Sequence, residues 1–186
     1  MSSSTPDGPG PHLAIVLEKL AGEFDRLTPD ELLELRATAE AMRPGFFDQF
    51  DAAGGESIRA AASLSADGTM AQMLYTPDTP EWLRLTLFAT HGDWIKGVSR
   101  TCMHAPSPEL PQAVIAAAGR PGLVVCAKCV LMLRPPTREA GSTCDVCGHI
   151  CTSAEGDLIY AGSITRSTLT LTFGVCGSCA ADFAGR

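Results

Sequence analysis

The sequence contains no apolar run approaching the roughly 20 residues that a membrane-spanning helix needs, so we expect no membrane association. It begins without a positively charged stretch followed by an apolar one, which argues against a secretory signal. Aromatic residues make up only 6% of the chain, so any core must consist mainly of Leu, Val, Ile and Ala. These absences predict a cytoplasmic location, where structural disulfides are disfavoured and paired cysteines more often bind metal.

Clustered positive charge is also missing. The net charge of −7 divides unevenly, with −8 over residues 1–97 and +1 over residues 98–186. A phosphate backbone attracts grouped Lys and Arg side chains and repels an acidic surface. The charge therefore disfavours nucleic acid as a partner. Lys128, Arg134, Arg138 and Arg166 are the cations that such binding would use.

Signatures of catalysis are absent as well. The chain has no Walker loop, GxSxG elbow, HExxH motif or dinucleotide-binding fingerprint. We therefore assign no catalytic residue and no organic cofactor, and we do not expect an enzyme.

The 186 residues, 45% of them apolar, suit one ordinary domain or two small ones. We predict an α+β protein: a flexible leader (residues 1–11), an acidic helical domain (12–97) and a zinc-binding domain with short strands, a β-hairpin and short helices (98–186). In the helical domain, Leu13, Leu17, Leu20, Phe24 and Leu27 line one helix face. Thr28 and Glu31 form a predicted capping box for a second helix, whose inward residues would be Leu32, Leu35, Ala39 and Met42.

The second half of the chain differs from the first in composition, because it is rich in Cys, Gly and β-branched residues. Residues 108–118 are predicted to form a helix that ends before Gly119 and Pro121. Residues 122–125 suit a strand. Residues 157–175 are predicted to form a β-hairpin that turns at Ala161–Gly162–Ser163.

Three CxxC pairs are the strongest signal in the sequence: Cys126/Cys129, Cys144/Cys147 and Cys176/Cys179. Two thiolates that bracket a tight turn hold half of a tetrahedral zinc site, so each pair needs two more ligands. In one interpretation, the first two pairs form a zinc ribbon and the third has no partner.

A second interpretation starts from a local repeat. "GLVVCAKCVLML" and "LTFGVCGSCAADF" each place a CxxC between an extended apolar run and a helix-compatible stretch. Each such element needs a ligand pair upstream. We therefore predict two zinc ions in tandem units, about 98–135 and 142–186. Their ligands would be Cys102, His104, Cys126 and Cys129 for one ion, and Cys144, Cys147, Cys176 and Cys179 for the other.

Residues 142–186 are predicted to contain a tight turn with two ligands (a knuckle), then a β-hairpin, then a CxxC pair that opens a helix. This order resembles the treble-clef type of zinc finger, and residues 100–134 resemble it more weakly. The resemblance implies a small metal-stabilised fold. It does not imply one activity, because treble clefs serve as structural modules, interaction modules, nucleic-acid binders and nuclease cores.

Two residues lie outside these ligand sets. Cys151 is predicted to be a small buried residue of the hairpin, with a redox-active thiol as the alternative. His149 is predicted to be exposed. The function we predict is a zinc-stabilised, non-enzymatic interaction or regulatory protein that binds another protein, with homo-oligomerisation left open. The alternatives are a nucleic-acid-binding zinc finger and a thiol/zinc redox sensor.

Overall fold

A computed structural model of the chain describes residues 26, 28–65, 70–76, 78–152 and 157–184. The elements in these ranges are α1 Pro29–Met42, α2 Phe46–Ala62, β1 Ala71–Leu74, α3 Glu81–Ile95, β2 Arg100–Thr101, β3 Val114–Ala117, β4 Leu123–Cys126, the 3-10 helix Ala127–Leu133, α4 Arg138–Gly141, β5 Ile159–Arg166, β6 Leu169–Cys176 and α5 Gly177–Ala184. The predicted α+β class is confirmed. The predicted leader and, apart from Arg26, the predicted first helix lie outside the described residues.

Helix α1 begins at the predicted capping box. The Oγ1 atom of Thr28 accepts a hydrogen bond from the Glu31 N–H, and the Glu31 carboxylate accepts one from the Thr28 N–H at 2.7 Å. The prediction that Met42 faces inward is wrong, because its side chain is 78% exposed. Glu40, whose carboxylate accepts the Phe47 N–H, marks the side of α1 that meets α2. Met42 lies about 200° further around the helix, so it points to solvent.

The six strands form one mixed sheet in the order β1-β5-β6-β3-β4-β2. Strands β3 and β4 form one antiparallel hairpin and β5 and β6 another, and β3 lies parallel to β6. The two hairpins therefore stand side by side. Strand β1 pairs in parallel with β5 at one edge, so residues 71–74 join the sheet that the second half builds. The predicted domain boundaries stay predictions.

Helices cover both faces of this sheet. Along β3, Val114 and Ala116 belong to the buried cluster that includes Leu83 and Leu87 of α3. Between them, Ile115 belongs to the other cluster, which includes Ala61 of α2. This alternation follows from the two-residue period of a strand. Helix α3 therefore packs on one face, and α2 on the other.

The helix predicted over residues 108–118 is wrong, because Val114–Ala117 is strand β3. This strand pairs with β4 across a short turn and with β6, which lies more than 50 residues later in the chain. Gly119 and Pro121, which favoured a helix end, instead lie in the turn between β3 and β4. The Arg120 N–H donates to the Ala117 carbonyl there, and Gly122 has φ of +72°.

The hairpin of β5 and β6 is present as predicted, but its turn is not at Ala161–Ser163. The chain reverses at Ser167 and Thr168, and Ser167 has φ of +63°. Gly162 lies inside β5 opposite Phe173, whose ring carbons approach within 2.5 Å of where a Cβ on residue 162 would be. The glycine thus marks a close approach rather than a turn.

Candidate metal centres

The first cluster consists of Cys102, His104, Cys126 and Cys129, whose ligand atoms all lie within 4.8 Å of one another. Cys102 and His104 lie on a tight turn that follows β2, closed by a hydrogen bond from the Ala105 N–H to the Cys102 carbonyl at 2.8 Å. Cys126 ends β4, and Cys129 lies one turn into the 3-10 helix. The structure therefore brings together the four residues that the tandem interpretation assigned to one ion.

The second cluster consists of Cys144, Cys147, Cys176 and Cys179, again with all four sulfur atoms within 4.8 Å. Cys144 and Cys147 lie on a turn in which the Gly148 N–H donates to the Cys144 carbonyl at 2.9 Å. Cys176 ends β6, and Cys179 lies in the first turn of α5. The pairs Cys126/Cys129 and Cys144/Cys147 thus belong to different clusters, so the structure does not support a zinc ribbon.

The spacing between ligand atoms suits a small cation. Bonds of about 2.3 Å from zinc to sulfur, at tetrahedral angles, place two sulfur atoms about 3.8 Å apart. The observed separations are 3.7 Å between the Cys102 and Cys126 sulfurs and 3.8 Å between those of Cys147 and Cys176. The His104 Nδ1 atom lies 3.2 Å from the Cys129 sulfur and 3.5 Å from that of Cys126. Both clusters can hold a metal ion.

Both clusters are built by the same order of elements. A two-ligand turn comes first, then an antiparallel hairpin, then a CxxC pair that opens a helix. The residue after the second ligand of each turn has positive φ, +41° at Ala105 and +72° at Gly148. The sequence repeat predicted the CxxC pairs, and from them the upstream ligand pairs, but only the second of the two hairpins. The first hairpin escaped notice because residues 108–118 were assigned to a helix.

Local hydrogen bonds favour thiolates at specific positions. The Ser178 hydroxyl, 3.3 Å from the Cys176 sulfur, and the Cys179 N–H lower the pKa of Cys176 to about 6. Burial opposes ionisation of Cys102, but hydrogen bonds from the Cys126 and His104 N–H groups lower its pKa on balance. Hydrogen bonds from backbone N–H groups therefore favour a negative charge in each cluster.

The thiols of Cys129 and Cys179 keep their protons more firmly. Burial, together with the neighbouring thiols of Cys102 and Cys126, raises the pKa of Cys129 to about 11. The pKa of Cys179 is raised too, chiefly by its hydrogen bond to Cys176. Each cluster thus combines thiols of lowered pKa with thiols of raised pKa, and a bound cation would replace their protons.

A further group escaped the sequence analysis. His149, Cys151 and Asp157 have ligand atoms within 4.8 Å of one another. Cys151 is buried and His149 is exposed, as predicted. The one-residue spacing of His149 and Cys151, which Cys102 and His104 share, is the signal that could have pointed to this group.

Comparisons with protein-family models, curated proteins and solved structures gave no match to this chain. Among the helices of the described ranges, none has the length and apolarity needed to span a bilayer.

Proposed function

We propose that the chain is a zinc-stabilised, non-enzymatic interaction protein whose second half consists of two treble-clef-like units. The observation that carries the proposal is the convergence of four protein ligand atoms in each cluster. One set supplies three sulfurs and a nitrogen, and the other supplies four sulfurs. Tetrahedral zinc binds both sets, whereas magnesium and calcium prefer oxygen.

The ligand count supports a structural role for both ions. A catalytic zinc keeps one coordination position for water or substrate, and four protein ligands leave no such position. Each ion would instead connect a surface turn to the end of a strand and the start of a helix. Such a connection stabilises a small unit that buries little apolar surface of its own.

Exposed apolar side chains beside the first cluster support the interaction role. Met103, between two ligands, is 90% exposed, and Leu131 and Met132 of the 3-10 helix are about half exposed. Exposed apolar groups on a rigid support are typical of protein-binding surfaces. A metal-anchored turn and helix would hold these three side chains in fixed positions for a protein partner.

Nucleic-acid binding is less well supported. Arg166, one of the four cations that would serve it, packs its guanidinium over the rings of Tyr75 and Phe88, at 4.8 and 4.2 Å from their centroids. That placement commits the side chain to the fold. The burial of Cys151 likewise restricts access of an oxidant to its thiol, which weakens the redox alternative.

Metal analysis of the reduced full-length chain tests the structural part of the proposal. We expect two zinc ions per chain that resist a chelator of moderate affinity. Cys102→Ser should remove one and Cys176→Ser the other, because each loses a ligand from a different cluster. Cys151→Ser is the matched control and should keep both. A chain without tightly held metal, or one ion lost in both ligand variants, would overturn the proposal.

The interaction part needs a separate test. The zinc-loaded chain would be immobilised and exposed to extract from its source cells, in parallel with Met103→Ser and Leu131→Ser variants. A protein that binds wild type and is lost from both variants supports the surface described above. Leu158→Ser, which alters an exposed apolar residue of the second unit, is the matched control and should retain the partner. Equal capture by all variants contradicts this location.

A further inference from the structure

The third cluster, His149, Cys151 and Asp157, lies beside the second but shares no ligand with it. The His149 Nε2 atom and the Asp157 Oδ1 atom are 2.7 Å apart. The Cys151 sulfur lies with them, on a residue that is 4% exposed. Three donors of different chemistry therefore converge at a place that neither of the two zinc clusters uses.

Local backbone structure sets this convergence. Ile150 forms an antiparallel bridge with Thr143, so the segment around it is extended. In an extended segment, residues two apart project to the same side, which brings His149 and Cys151 together. Hydrogen bonds from the Cys144 N–H to the His149 carbonyl and from the Cys151 N–H to the Ser142 carbonyl, each 2.8 Å, hold the segment against the turn that carries Cys144 and Cys147.

Asp157 is oriented toward the other two donors. Its Oδ2 atom accepts hydrogen bonds from the N–H and the hydroxyl of Thr152, at 2.8 and 2.7 Å. These bonds fix the carboxylate and direct Oδ1 toward His149. A carboxylate that is itself hydrogen-bonded through its second oxygen is a common arrangement for metal ligands.

The donor set indicates which cations would bind. Sulfur, nitrogen and oxygen together suit zinc, whereas a thiolate is a poor ligand for magnesium or calcium. Two ligands of one tetrahedral zinc lie about 3.3 Å apart, so the ion would separate His149 and Asp157 by roughly half an ångström. The His149 side chain is 51% exposed and has room for that movement.

We propose that His149, Cys151 and Asp157 form a third zinc site, whose fourth position is open to water. With three protein ligands and an exposed histidine, this site binds its ion more weakly than the two closed clusters. The nearby second cluster strengthens binding of this ion, and here the inference rests on the proposed function. Zinc bound by four thiolates carries a net charge of −2, which attracts another cation.

Equilibrium dialysis of the full-length chain against buffered zinc, with metal analysis, tests the site. The wild type should bind one ion beyond the chelator-resistant ones, and that ion should be removed by the chelator. Cys151→Ser, His149→Ala and Asp157→Asn should each lose this additional ion and keep the others. Asp78→Asn, which alters an exposed carboxylate elsewhere, is the matched control and should bind as wild type does.

Cobalt provides a second readout. Filling the labile site with Co²⁺ in the zinc-loaded chain should add thiolate-to-cobalt absorbance that is missing in Cys151→Ser. The inference fails if wild type binds no additional ion, or if Cys151→Ser and Asp157→Asn bind it unchanged. If chelator-resistant zinc is absent but the three variants still lose an ion that wild type binds, the proposed function fails and the third site stands. Far-ultraviolet circular dichroism identifies any variant that fails to fold.

Discussion

The two candidate metal-binding units reach the same arrangement of ligand atoms on scaffolds of unequal size. In the second unit, the strands β5 and β6 are eight residues long and α5 has eight residues. In the first, β3 and β4 have four residues each, and a 3-10 helix takes the place of an α-helix. Ligand separations of 3.7 and 3.8 Å nevertheless occur in the two clusters. The knuckle and the CxxC turn, rather than the length of the hairpin, therefore set the cluster geometry.

The difference lies in what supports each cluster without metal. The second hairpin buries Ile164, Leu169 and Leu171 under α3 and has eight paired positions. The first has three paired positions between its own strands and depends on β6 and β2 beside it. We therefore expect the first unit to depend more strongly on its ion.

Removal of metal under reducing conditions should have the largest effect. Binding of a structural zinc stabilises a small zinc-finger fold by about 10–16 kcal/mol, which exceeds the stability of most domains. We expect β3 and β4 to lose protection from hydrogen exchange before β5 and β6, because their ladder is shorter. Mass spectrometry of exchange after chelation measures this. If both hairpins lose protection from hydrogen exchange at the same rate, the first unit does not depend more strongly on its ion than the second.

Gly162→Ala should be the most damaging substitution away from the ligands. The new Cβ would lie 2.5 Å from the Phe173 ring, which is held edge-to-face against Trp82. Overpacking of this kind costs about 1–3 kcal/mol, so a clear fall in the free energy of unfolding is expected in a denaturant titration. Gly174→Ala, whose Cβ would lie 3.1 Å from the Ile159 Cγ1 atom, is the milder control. If the two variants are equally stable, the close approach at Gly162 is unimportant.

Ser57→Ala tests how α2 is attached to the second unit. The Ser57 hydroxyl lies 2.7 Å from that of Thr170 on β6, and both residues are fully buried. Loss of a buried hydrogen bond costs about 1 kcal/mol. Because Thr170 also contacts the Thr165 hydroxyl at 2.8 Å, it keeps one partner and the loss should not be larger. In a denaturant titration, Ser63→Ala at the end of α2, where the residue is exposed, should leave the midpoint of unfolding unchanged.

The smallest effects are expected in the two ligand turns, at Ala105 in the first unit and at Gly148 in the second. Gly148→Ala places a Cβ at φ of +72° and should destabilise the second unit by about 1 kcal/mol. Ala105→Gly removes the strain of a φ of +41° in the first unit but raises the conformational entropy of the unfolded chain. The two effects on the free energy of unfolding largely cancel. Thermal unfolding of the zinc-loaded variants should show a lower midpoint only for Gly148→Ala. The reverse order would mean that the two turns are not equivalent.

Sequence patterns predicted those features whose partners are close in the chain. Thr28 and Glu31, three residues apart, specify the capping box at the start of α1. The alternating residues of β6 indicate a hairpin arm. The same stretch predicts a turn at Gly162, because the sequence does not distinguish a glycine within a strand from a glycine in a turn. The burial of that position under Phe173 depends on a residue of the other strand, so no local pattern could reveal it.

By itself, the sequence determined the CxxC elements and their positions at the start of helices, because backbone geometry and thiol chemistry act over a few residues. It left two ways of grouping the three CxxC pairs, and the tertiary structure decided between them by bringing Cys126 and Cys129 to Cys102 and His104. Only the tertiary structure decided that Val114–Ala117 is a strand, since it pairs on one side with β4 and on the other with the distant β6. It also decided that Asp157 meets His149 and Cys151. The pairing of β3 with β6 joins segments more than 50 residues apart, and its energy appears only once the chain has closed the loop between them.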